Sequence, residues 1–430
     1  MNRAAGICTG LAVSLLASLV GAAGYAQGAE YPAGEVLPPA GAGVTGELAQ
    51  AVQEQALGQV IADLQADERA LRQAIAALEA SDGAYAPGLA QPLLSLGLAL
   101  QTQDRHAEAV QLFRRGAHLA RVNDGLYSPQ QLPLIEGEIA SALAQGQYAA
   151  VDERQSYLYR VQVRCLSPGP ERARALIQQA NWQRQAYQLQ LDKQGYGRLM
   201  NMWELYRVAL NDLVDLEGET SPTLLQPLRG MLQTQYLISA YDLDSGGTTG
   251  FVSQDNMVLR QQLGRFYAYR SQSYDKGRAV ILAIYDIEQE HPEAATDSSA
   301  LVMLGDWHLW HDQREAAWQA YRDAAAELAG RADAQTVAQR LLGAPAALPD
   351  IDGIRPLPPP VPEQQGNVLL AFGINERGRV VGLERLDDDD ASDGSANRLM
   401  RQLRRTQFRP RFAAGEPIET QGIVRAYDIH

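Results

Sequence analysis

Asp82-Gly83-Ala84-Tyr85-Ala86-Pro87 returns forty-two residues later as Asp124-Gly125-Leu126-Tyr127-Ser128-Pro129, and each copy opens a helix pair. In the first pair Leu96-Gly97 lies on the leading helix, Asp104-Arg105-His106 makes the turn, and Ala109, Phe113 and Gly116 lie on the following helix. In the second, Ala140 to Ala144 leads through Gly146-Gln147-Tyr148 to Ala149, Ala150 and Val151. A third pair comes much later: Leu304-Gly305, the turn Asp312-Gln313-Arg314, then Ala317, Tyr321 and Ala324. The interval from Leu96 to Phe113 equals that from Leu304 to Tyr321, which two unrelated helix pairs would not readily share. A side chain larger than alanine at Ala109 or Ala317 would push the paired helices apart and leave a cavity.

These pairs resemble tetratricopeptide repeats, where Leu-Gly on one helix, a small residue on the next and an aromatic residue four later let two helices cross closely. The resemblance implies a solenoid over 47–343, because no single pair can bury its own apolar face and stacking must do so. It also implies a concave surface that binds extended peptides or helices. Leu48, Val52, Leu57, Val60, Ile61, Leu64, Leu71, Ile75 and Leu78 fit an amphipathic helix or helix pair ahead of the first repeat. Residues 171–217 and 222–242 read as longer helices, 244–250 as a glycine-rich loop, and 254–290 as a further helix pair closed by His291-Pro292.

After the repeats comes a proline-rich linker, 344–365, whose core Leu348 to Pro362 reads as a stiff, extended spacer. Beyond it the pattern alternates. Val368, Leu370, Phe372 and Ile374 recur at period two, as on one face of a strand. Asn375-Glu376-Arg377-Gly378 turns the chain into a second strand, Val380 to Leu386. Ala396, Leu399, Met400 and Leu403 give Ser395 to Arg405 a helical period with an arginine outer face, and a closing strand ends at Tyr427.

Residues 366–430 resemble the TonB C-terminal domain family, on Gly366-x-Val368, Phe372-x-Ile374, Gly378-x-Val380 and Phe408-Arg409-Pro410 followed by Gly415-x-Pro417. The expected fold is therefore mainly α: a tetratricopeptide-like helical-repeat solenoid followed by a small α+β (ββαβ) domain. The resemblance implies that the last strand, Ile423, Val424, Arg425, Ala426 and Tyr427, is an open edge that can add a partner's strand.

The N-terminus reads as an export signal, with Arg3, an apolar run Leu11 to Val20 and a small-x-Ala site at Gly24-Tyr25-Ala26. A retained inner-membrane anchor over Ala4 to Ala23 is the competing reading. Either puts the body in the periplasm, with 27–46 a disordered leader. Cleavage would leave Cys165 the sole thiol and no intramolecular disulfide. The net charge is −14, yet 366–430 carries ten acidic and ten basic side chains, so the acidity belongs to the rest of the chain and argues against a nucleic-acid partner.

No Gly-x-Ser-x-Gly, phosphate-binding loop, Gly-x-Gly-x-x-Gly, Cys-x-x-Cys or His-Glu-x-x-His occurs, so neither an enzyme nor a cofactor is expected, and an envelope enzyme stands only as the third reading. His308-x-x-His311, near Asp306 and Asp312, lacks a third metal ligand at a fixed spacing. Asp387 to Asp390 with Asp393-Gly394 lacks the twelfth-position carboxylate of a calcium loop, since that place holds Met400, and reads as a solvated loop. The order of export signal, repeats, linker and tail points to a cell-envelope adaptor that binds protein partners. A TonB-type energy transducer for outer-membrane transport is the alternative, and the cleavable-looking N-terminus and short proline stretch depart from that pattern.

Overall fold

The computed structural model describes residues 65–192, 195–241, 257–292, 299–330, 334–387, 393–413 and 415–429. The export segment, the leader and the glycine-rich loop lie outside them. Residues 65–430 form one compact unit. It is mainly helical, with a small sheet region at the C-terminal end.

Helix α1 spans 65–82. Then come α2 (Ala90–Gln101), α3 (His106–Asp124), α4 (Leu132–Ala144), α5 (Tyr148–Cys165), α6 (Pro170–Gln188), α7 (Tyr196–Glu217) and α8 (Leu225–Ala240). They are followed by α9 (Met257–Ser271), α10 (Ser273–Glu290), α11 (Ala300–Trp310), α12 (Arg314–Ala329) and α13 (Ala334–Leu342). From α2 to α8 each helix packs on the next, and α8, α10, α11 and α12 continue the series.

The repeated hexapeptide does what its composition dictates. Gly83 and Gly125 take φ of +82° and +110°, conformations an L side chain resists, and Pro87 and Pro129 begin the 3-10 turns that lead into α2 and α4. The turns closing the leading helices share one geometry. Asp104, Gly146 and Asp312 are left-handed, with φ of 55°, 68° and 59°. The following N–H then reaches back five residues: Arg105 to Leu100 C=O at 3.0 Å, Gln147 to Ala142 at 3.0 Å, Gln313 to His308 at 2.8 Å. That bond satisfies a carbonyl the helix end would otherwise leave bare.

The helices cross where glycine meets an aromatic ring. A Cβ added at Gly97 would overlap Phe113, and one at Gly137 would come within 2.7 Å of the same ring. Gly230 faces Tyr206, Gly277 faces Trp307, and Gly305 faces Tyr321 in the same manner. All these rings are at most 2% exposed, so each glycine sets how closely two helices approach. Buried ions add fixed registers. Glu138 of α4, wholly enclosed, accepts from Arg114 of α3 at 2.6 Å and pairs with Arg154 of α5. Asp152 of α5 accepts from Trp182 of α6 at 2.8 Å and from Arg198 of α7 at 2.7 Å.

Two expectations need correction. Residues 171–217 are not one long helix: α6 ends at Gln188, Gln190 is left-handed at φ 54°, Leu191 N–H bonds Ala186 C=O at 3.1 Å, and Gly195 at φ 60° precedes α7. The proline stretch is not a free spacer either. Leu348, Ile351, Ile354 and Leu357 recur every third residue and are drawn onto the body, with a turn at 351–354 where Ile354 N–H bonds Ile351 C=O at 3.2 Å and Gly353 takes φ +78°. Leu348 joins the core of α11 and α12, Ile351 and Ile354 pack on the large cluster of α6 to α11, and Leu357 joins the core of the sheet. The prolines lack donors, but the carbonyls between them accept: Gly353 from Gln188 at 3.0 Å, Pro356 from Gln402 at 2.6 Å, and Asp352 from Gln233. The stretch is a strap that stitches three cores together.

Strands are β1 (Ala346–Ala347), β2 (Val368–Ile374), β3 (Val380–Arg385), β4 (Phe408–Arg409), β5 (Arg411–Ala413), β6 (Glu416–Ile418) and β7 (Thr420–Tyr427), with α14 (Asp393–Arg405) between β3 and β4. The main sheet is antiparallel in the order β3-β2-β7. Val368, Leu370, Phe372 and Ile374 face inward against Ala396, Leu399 and Leu403 of α14. The strap reaches this region too, through β1 paired with β4.

Candidate functional site

The predicted edge strand is β7, and it lies at the side of the sheet. Because antiparallel residues alternate, its members divide into two sets. Tyr427, Arg425 and Ile423 turn their main chain toward β2, as the bond from Asn367 N–H to Tyr427 C=O at 3.0 Å shows. Ala426 and Val424 turn theirs outward. Val361 of the strap already meets that outer side, donating to Ala426 C=O at 2.9 Å. Among the described residues no further main-chain bond reaches the outer side at Val424, whose side chain is 52% exposed. Gly422, at φ +70°, ends the regular run, so the open edge is short. Tyr427 is wholly buried in the sheet core, which pushes its phenol above the ordinary range, so it anchors the strand and does not offer itself to a partner.

The tail is tied to the helical body by a buried ion cluster that the sequence does not single out. Arg409 of β4 donates to Asp306 of α11 at 2.5 Å and to Asp350 of the strap at 2.7 Å. Tyr321 of α12 donates its hydroxyl to the other oxygen of Asp306 at 2.7 Å. Asp306, Arg409 and Tyr321 are all buried, and the Phe412 ring of β5 packs tilted against Tyr321 with ring centroids 5.6 Å apart. A signal existed: Asp306 is the one acid in the apolar run Ala300 to Trp310. A charge there needs a partner, but nothing local names one 103 residues away.

Burial pushes the Asp306 carboxyl up to about 6, outweighing the pull of Arg409 and the Tyr321 hydroxyl. Arg409 stays charged: burial works against its guanidinium, and Asp306 more than restores it. With a folded pKa above the unfolded value, Asp306 holds a proton that the unfolded chain has already released between about pH 4 and about pH 6. Its stabilising share is full below that window and lost as pH rises through it. Relative to Asp306→Asn, the wild type should therefore lose on the order of 3 kcal/mol between about pH 4 and about pH 7. Urea unfolding of both proteins across that range checks this, and a pH-independent difference would contradict it.

Other candidates resolve into packing. His308 Nδ1 meets the Tyr274 hydroxyl at 3.0 Å, and His311 stacks edge-on against Trp307 with centroids 4.5 Å apart. Burial lowers the pKa of both histidines, keeping them neutral within an aromatic cluster. Among the described residues no three His, Cys, Asp or Glu side chains could hold a metal ion together. Asp387 accepts from Leu369 N–H at 2.6 Å and from Arg385 at 2.5 Å, tying the end of β3 to β2, while 388–392 lie outside the described residues. Cys165 is a free, half-buried thiol whose pKa is raised by burial. Among the described residues no helix is long and apolar enough to cross a membrane.

No family model and no curated protein matches this chain. Among solved structures it is similar to the crystal structure of BtubC (BKLC) from P. vanneervenii, at 16% identity over 64% of this chain and 93% of that one, with a TM-score of 0.35. A superposition that loose carries no argument about function. The class rests on the molecule itself: a mainly helical chain with a small C-terminal sheet clasped against it.

Proposed function

We propose that this chain is a cell-envelope adaptor, in which a tetratricopeptide-like solenoid and a TonB-like tail bind protein partners. The glycine-aromatic crossings and shared helix ends support the repeat reading, and the β3-β2-β7 order with α14 supports the tail reading. The observation that carries the proposal is the outer side of β7. There Val361 already adds main chain to Ala426, while Val424 beside it offers its N–H and C=O. An edge that takes one strand residue in cis suits strand addition in trans.

Val424→Pro tests it. The substitution removes an outward N–H and leaves the β2 pairing intact, so the fold should be retained within about 1 kcal/mol. Pull-downs from envelope extract, compared between wild type and variant by mass spectrometry, should show a partner captured by the first and lost by the second. Identical recovery with both would sink the edge as the binding element.

A further inference from the structure

Between the helical body and α14 lies a cleft of about 630 Å³. That is a size that takes a ligand side chain or small molecule. Its walls are apolar, from Leu237 of α8, Leu309 and Trp310 of α11, and Leu348, Pro349 and Ile354 of the strap. Its rim is not. Arg398, Arg401 and Arg405 of α14 and Arg379 of the hairpin leading into β3 all line it, against a single acid, Asp312. Arg398 touches the Ser395 hydroxyl at 3.3 Å, and none of the four arginines has an ion pair among the described residues.

This concentration of charge is out of character for the chain. The protein carries a net charge of −14, and several of its other arginines pair with carboxylates, as Arg114, Arg172, Arg198 and Arg409 do. Four exposed guanidiniums beside an apolar cleft make a complement for negative charge joined to an apolar group. Spacing narrows the choice. Residues 398, 401 and 405 fall at i, i+3 and i+7 on one face of α14, and seven residues at 1.5 Å each spread those charges over about 10 Å. One anionic head group covers a fraction of that length. Several carboxylates strung along a main chain cover all of it.

We infer that this cleft binds an acidic peptide segment, its carboxylates along the α14 arginines and an apolar side chain in the space beside Leu237 and Trp310. The inference rests on the adaptor reading only in taking the ligand to be a peptide, since the cleft is separate from the β7 edge. Binding is electrostatically steered and weakens with salt, because the rim is open to solvent.

The probe is a fluorescein-labelled decapeptide of alternating glutamate and leucine, titrated with the full chain and followed by anisotropy. Saturable binding is expected, falling about tenfold or more between about 50 mM and about 500 mM salt. Arg401→Glu with Arg405→Glu should weaken it about tenfold or more, and a glutamine-leucine peptide should bind as weakly. Both arginines are exposed, so that variant keeps its fold. Ala240→Trp, which fills the cleft from an exposed position on its wall without changing charge, should weaken binding comparably while circular dichroism and melting stay as in the wild type. Val424→Pro should bind the probe unchanged, so failure of the edge leaves this result standing, and failure here leaves the edge standing. Equal affinity for the glutamine peptide, or indifference to the arginine reversals, would overturn the inference. So would binding of phosphatidylglycerol vesicles with no binding of the peptide.

Discussion

Arg409→Ala should cost the folded protein about 3–5 kcal/mol near neutral pH, among the largest single effects available in the chain. The guanidinium is buried between Asp306 and Asp350, and its loss leaves the enclosed Asp306 carboxylate facing only the Tyr321 hydroxyl. The cost comes from the charge left behind more than from the bond removed. Two corollaries follow from that cause. Arg409 pulls the Asp306 pKa down, so without it Asp306 takes up its proton at a higher pH, and the penalty should shrink as pH falls toward about 6, below which Asp306 is protonated in both proteins. Pairing Arg409→Met with Asp306→Leu should recover much of the loss, since no unpaired charge is then buried. Guanidinium unfolding of the two variants beside the wild type checks all of this, and a penalty equal at pH 5 and pH 8 would rule out the stranded carboxylate as its source.

Phe113→Ala should cost about 3–5 kcal/mol for a different reason. The ring is fully buried in the core shared by α2, α3 and α4, and it fills the space left by two glycines, Gly97 on one helix and Gly137 on another. With no Cβ at either glycine, the neighbourhood has nothing to move into the void, so the cavity persists and its cost is paid in full. Phe113→Leu keeps most of the volume and should lose less. Chemical denaturation orders the series, and an alanine variant as stable as the leucine variant would show that the helices collapse together instead.

Much of this architecture is legible in the sequence because its causes are local. Asp82-Gly83 and Asp124-Gly125, the turns at Asp104, Gly146 and Asp312, and the alternation from Val368 to Ile374 each act within a few residues, and each element stands where those signals put it. Even the role of small residues at helix crossings was readable, although the glycines more than Ala109 or Ala317 set the approach. What stayed hidden is long-range. The break after Gln188 rests on a left-handed glutamine, a conformation that no property of glutamine announces. The strap reads as a spacer because prolines dominate its composition, while its four apolar residues at period three act only once the body offers them a surface. The Asp306–Arg409 pair joins residues no periodicity connects. At the candidate edge, β7 lies at the side of the sheet, and nothing in its sequence announces that Val361 of the same chain reaches it.

The strap clasps the sheet to the helices. Hydrogen–deuterium exchange reads that directly through two amides, Leu348 bonded to Gln407 C=O at 2.8 Å and Val361 bonded to Ala426 C=O at 2.9 Å. Both should be protected in the wild type to a degree comparable with β2, and both should exchange faster in Arg409→Ala while α2 to α4 keep their protection. Exchange at the rate of an unstructured peptide across 346–361 in the wild type, with α11 and α12 still protected, would mean that the tail hangs free.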